Sequence, residues 1–182
     1  MKRNKAHATF VADPNKTGLV EKAFMPEAIA FLQKHFDIVL ETGDSQLNYD
    51  GADFIVKNEG EGALTVDLKV CRFDSGFEVL TDARKKDYFG QWEHVLRQKN
   101  SDYVLFINKT GRFLVDYMTL YDKIDAVPHS EQFFLKKDTC QTAYKAKIHL
   151  DKADFKFIKP ERRTADDKQA ADDLLTKLKA SS

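Results

Sequence analysis

Lys+Arg and Asp+Glu balance at 29 each over 182 residues, which excludes a uniformly basic nucleic-acid binder and leaves only local charged faces. Hydrophobic residues make up 42% of the chain, enough for one core without disulfides or a structural metal, and no apolar run approaches the ~20 residues of a membrane helix. Cys71 and Cys140 show neither CxxC nor zinc spacing, and no apolar stretch follows the basic start MKRNKAHATF. The expectation is a cytoplasmic α/β protein of one domain, without signal peptide or membrane contact.

In residues 17–36, Val20, Phe24, Ala28, Phe31 or Leu32, and Phe36 recur at three- and four-residue spacing, which predicts a helix. Thr17 is its expected cap, and Pro26 is expected to split it. Residues 37–42 read as a short strand and 43–51 as a turn-rich loop. Residues 53–57 and 63–71 read as two strands joined through Asn58, Gly60 and Gly62. In the second strand Leu64, Val66, Leu68 and Val70 face one way, and Thr65, Asp67, Lys69 and Cys71 the other. That alternation does not account for an Asp in mid-strand, where β-propensity disfavours it. A third strand is expected over 76–81, and a helix towards the end of 82–100 with Trp92, Val95 and Leu96 on one side. Paired strands over 101–108 and 112–120, further strands within 132–158, and a helical or frayed tail at 164–182 complete the prediction. Charge is segregated: residues 37–53 hold five acids and no Lys or Arg, whereas 136–163 hold nine Lys/Arg against four acids.

The tripeptide D-x-K occurs three times, at Asp67–Lys69, Asp154–Lys156 and Asp166–Lys168, so alone it carries nothing. The first is set apart by Asp53, which a hairpin can bring beside Asp67 on the face that also carries Lys69. Glu21 on the preceding helix is a candidate fourth group. These residue types suit phosphodiester hydrolysis. Mg²⁺ takes oxygen ligands, here Asp53, Asp67 and the Leu68 carbonyl, and Lys69 can orient water or offset charge on the phosphate. Neighbouring carboxylates raise a lysine pKa, which argues against Lys69 as a simple general base. Asp154–Lys156, with Asp138 upstream, is the competing pair, but its Lys-rich setting reads as a DNA-backbone surface.

Lys16-Thr17-Gly18 with Glu21, then Gln46, Gly51-Ala52-Asp53-Phe54-Ile55-Val56, Val66-Asp67-Leu68-Lys69-Val70, Gly90-Gln91-Trp92 and Ser101–Phe106 follow in an order that resembles the PD-(D/E)XK, restriction-endonuclease-like nucleases. The resemblance spans residues 16–120 and is to phage- and mobile-element-borne members. It implies an αβββαβ core, here with a basic β-rich extension at 130–160, and Mg²⁺-dependent DNA cleavage, with Mn²⁺ as a substitute metal. Asp53, Asp67 and Lys69 fall on its motif positions. Ala52 replaces the usual Pro, and Asp67 stands where Glu is commoner. Glu21 fits the spacing after Gly18 and is favoured as the helix acid. Glu27 fits the distance to the next strand and is its alternative, with Glu41 third. Arg84, Lys85, Lys86, Gln91, Lys145 and Lys147 are candidate DNA contacts. Two other readings stand beside this one: an inactive DNA- or protein-binding module on the same scaffold, and a structure-specific nuclease of the Holliday-junction-resolvase type, which requires a homodimer.

Overall fold

The computed structural model describes residues 14–43, 52–71, 78–86, 92–94, 101–136, 142–151, 154 and 161–181. Helix α1 runs Pro14–Leu32, followed by strands β1 (Ile38–Glu41), β2 (Phe54–Lys57), β3 (Leu64–Cys71), β4 (Glu78–Lys86), β5 (Trp92–His94), β6 (Tyr103–Asn108) and β7 (Gly111–Asp116). Helix α2 (Tyr117–Asp125), a 3₁₀ turn, β8 (Phe133–Lys136), β9 (Thr142–His149), β10 (Glu161–Arg162) and helix α3 (Ala165–Ala180) complete the described elements. The strands form a six-stranded sheet ordered β1-β2-β3-β6-β7-β10 and a four-stranded sheet ordered β5-β4-β9-β8. Among the described residues all pairings are antiparallel except β3 with β6. This is a mixed α+β architecture. None of its described helices is long and apolar enough to cross a membrane.

The six-stranded sheet is the middle layer. On one face Phe54, Val56, Val66, Leu68, Leu105, Ile107 and Leu114 pack against Phe24, Phe31 and Leu32 of α1 and Ala171 and Leu175 of α3. On the other, Val104, Phe106, Phe113 and Val115 meet Leu120 and Ile124 of α2 and Val79, Ala83, Ala146 and Ile148 of the second sheet. Period-2 alternation therefore splits β6 and β7 between two cores, and these strands are apolar on both faces. Phe31, Phe54, Phe106 and Phe113 are fully buried, each contributing roughly 2–3 kcal/mol of apolar burial.

Several expectations need correction. Pro26 lies inside an unbroken α1, which already begins before Thr17. The donor it removes served the Lys22 carbonyl; both residues are exposed, so solvent replaces the bond while Ala23, Phe24 and Ala28 keep the two halves in register. Trp92–His94 is strand rather than helix, because it pairs with Arg84–Lys86 of β4; Val95 and Leu96 lie outside the described residues. The strand expected over 112–120 stops at Asp116, whose side chain accepts from Thr119 N at 3.0 Å and opens α2. The basic C-terminal strands are no appendage, since β9 pairs along nearly all of β4. Between β3 and its parallel neighbour β6 the described elements are β4 and β5 rather than a helix, so the αβββαβ order is not reproduced among the described residues.

Two turns depend on local chemistry. Gly60 takes φ +77° in the β2–β3 connection, where a side chain would be strained. Between β6 and β7, Asn108 Oδ1 accepts from Thr110 N and Gly111 N at 3.0 and 2.9 Å, fixing the turn expected there.

Candidate active site

The site grows from the β2–β3 hairpin. Asp53, just before β2, donates its N–H to Val66 O at 2.9 Å, and its Oδ2 accepts from Leu68 N at 2.6 Å. The carboxylate therefore takes the place of a backbone acceptor where the β2 ladder stops. Thr42 holds the other side, its hydroxyl donating to Ala52 O at 2.6 Å and its N–H to Asp53 O at 2.9 Å. A strand residue's N–H and C=O leave on the same edge, so the Leu68 carbonyl is directed to the Asp53 side.

Asp67 lies in mid-β3, its side chain 14% exposed, and receives Lys69 Nζ on Oδ1 at 2.7 Å. Loss of hydration raises its pKa most strongly. Lys69 pulls it back through charge and hydrogen bond, and Asp53 raises it through charge and a carboxyl–carboxyl hydrogen bond; the result is about 6. Desolvation is also the largest influence on Lys69 and lowers its pKa. Asp67, then Asp53 and Glu21, outweigh it and leave a net upward shift. Lys69 is therefore a cation at neutral pH, which excludes it as a resting general base and leaves it as a source of positive charge.

The structure thus brings together four of the residues singled out above: Asp53, Asp67, Lys69 and, within charge range of Lys69, Glu21 of α1. Glu27 is engaged elsewhere. Arg163 grips both of its carboxyl oxygens, Nε to Oε1 at 2.7 Å and Nη2 to Oε2 at 2.8 Å, in a buried setting. Arg112 adds a contact at 3.7 Å.

The expected DNA contacts scatter. Arg84 stacks on Tyr144 at 4.4 Å and donates from Nε to Gln132 Oε1 at 3.0 Å, a structural tie within the second sheet's layer. Lys145 and Lys147 alternate with buried Ala146 and Ile148 of β9, so they lie on the outer face of that sheet, away from Asp67. Lys85 and Lys86 pair in register with Glu93 and Trp92, and Gln91 and Gln46 lie outside the described residues. Asp154 of the competing pair is bound to Lys123 at 3.1 Å and accepts from Asp151 N at 2.6 Å, a role in local structure.

Tyr117 was missed. Burial raises its hydroxyl pKa most, Asp67 raises it further and Lys69 lowers it, so the phenol belongs to the same electrostatic group. The readable signal was Asp116 three residues before Thr119, a helix start that puts Tyr117 in the first turn.

Among the described residues no three His, Cys, Asp or Glu side chains converge as a ready metal cage. Two neighbouring carboxyls and a carbonyl nevertheless match the donor set of Mg²⁺, which takes one or two carboxylates and completes its shell with water and phosphate. A divalent cation would also offset the lost hydration and the Asp53 charge that together keep Asp67 near 6. No family model, curated protein or solved structure matches this chain.

Proposed function

We propose that the chain is a Mg²⁺-dependent deoxyribonuclease. The observation that carries this reading is the meeting of Asp53, Asp67 and Lys69 on one sheet face, with Asp53 held by Leu68 N and Asp67 by Lys69. Structural ion pairs do not need a second, repelling acid; a cation site does. Asp53, Asp67 and the Leu68 carbonyl would hold the ion, with Glu21 behind Lys69. Bound there, Mg²⁺ would supply Lewis acidity towards a phosphate oxygen and a more acidic water.

The chain's own groups supply the rest. Asp53, fixed by Leu68 N, keeps the carboxylates in place. Lys69 Nζ offsets the negative charge that grows on the non-bridging oxygens as water attacks. In the overall hydrolysis a water oxygen bonds to phosphorus and the phosphorus–sugar oxygen bond breaks. The proton lost by water balances the one gained by the sugar oxygen.

The test uses supercoiled plasmid, linear duplex and single-stranded DNA with Mg²⁺, Mn²⁺ or EDTA, for the native chain and Asp67→Ala. The native protein is expected to cut only with metal. Asp67→Ala should lose at least ~10²-fold in rate while melting cooperatively. Full activity in the variant would remove the site assignment. No cutting and no Mg²⁺ binding by the native protein would transfer the case to a binding module.

A further inference from the structure

Asp67, Val104 and Val115 form one row across β3, β6 and β7. Val104 and Val115 face the second core, so Asp67 shares that face, and Tyr117 follows Val115 by two residues as β7 gives way to α2. Tyr117 N donates to Asp102 O at 3.0 Å, which fixes the chain's entry into the helix. Its ring packs against the cluster holding Leu120 and Ile124. Two strand spacings, roughly 10 Å, separate the β3 and β7 backbones, and Tyr117 stands two residues, about 7 Å, along the strand from the Asp67 row, so its side chain spans part of the way to Asp67. The hydroxyl interacts electrostatically with both Asp67 and Lys69.

A phosphodiester entering this site meets Asp53 and Asp67, which only accept hydrogen bonds when ionised, and Lys69, whose ammonium is already held by Asp67. A neutral phenol is a donor that adds no further negative charge. We propose that Tyr117 positions the substrate, its hydroxyl donating a hydrogen bond to a non-bridging phosphate oxygen beside Asp67 and Lys69. The inference rests on the nuclease reading and adds to it a group from the β7–α2 junction, on the sheet face that carries Asp67.

Tyr117→Phe keeps the ring and its packing and removes only the donor. It is compared with the native chain and Asp67→Asn in four measurements: thermal melting, Mg²⁺ affinity by calorimetry, affinity for inorganic phosphate in Mg²⁺, and cleavage kinetics. In Tyr117→Phe, kcat/KM is expected to fall roughly ten- to a hundredfold and phosphate affinity with it, while melting and Mg²⁺ affinity hold. Unchanged cleavage and phosphate binding in Tyr117→Phe, beside their loss in Asp67→Asn, would overturn the role of Tyr117 and leave the nuclease reading standing. A lower melting temperature with unchanged kcat/KM would mark the hydroxyl as structural and overturn it too. A native chain that neither cleaves DNA nor binds phosphate in Mg²⁺ would overturn the nuclease reading and this inference together.

Discussion

Two clusters of charge flank the middle sheet, and they are balanced differently. Around Arg163, three acids (Glu27, Glu161 and Asp167) face three strong bases (Arg112, Arg163 and Lys34), with His35 Nε2 3.6 Å from Glu161. Around Lys69, three acids among the described residues (Asp53, Asp67 and Glu21) act on that base. The first cluster joins α1, β7, β10 and the start of α3, and Arg163 Nη1 also donates to Asn108 O at 3.3 Å. Gly111 lets β10 come this close, since a Cβ there would lie 3.2 Å from Glu161 O. The balanced cluster fastens the fold. The second, where acids outnumber bases among the described residues, is the one to which the proposed function assigns a cation.

The sharpest way to break that contrast is Arg163→Ala, which leaves Glu27 buried without its bidentate partner. A loss of about 3–5 kcal/mol in urea unfolding is expected; a cost near zero would show that the cluster fastens nothing. Asp67→Asn should act in the opposite direction. A carboxyl raised from 3.8 to about 6 keeps its proton longer in the folded chain, so its stabilising contribution is full below about pH 4 and lost as pH rises through 6. The variant should therefore equal the native protein near pH 4 and exceed it by about 1–2 kcal/mol at pH 8. Greater stability of the native chain at pH 8 without metal would contradict the idea of an unrelieved acid pair. Lys34→Ala is the smallest test. Its bond to Glu161 is short, at 2.8 Å, but the Lys34 side chain is 53% exposed. Its removal should cost no more than about 0.5 kcal/mol by thermal melting; a larger loss would extend the fastening cluster to the surface.

The hairpin half of the candidate site was legible because strand alternation is local: Asp53, Asp67 and Lys69 needed only β2 and β3. The pairing of Glu27 was not, since its partner Arg163 lies 136 residues along the chain. Lys145 and Lys147 read as DNA contacts from charge alone. Only the β4–β9 pairing shows that they lie on the far face of a second sheet. Trp92 misled because three apolar positions fit a helical period, whereas register with β4 sets the real conformation.

The parallel seam between β3 and β6 also bears on how the molecule assembles. Val66 pairs with Tyr103 across an intervening stretch of about 36 residues, whereas Phe54 pairs with Val66 through a short turn. Local hairpins close before distant strands dock, so Asp53 and Asp67 come together first, while water still surrounds them. When β6, β7 and α2 then arrive, they strip that water away. The repulsion between the two carboxylates thus falls on the late step of folding, and any cation that binds the half-built hairpin would speed the closing of the sheet over it.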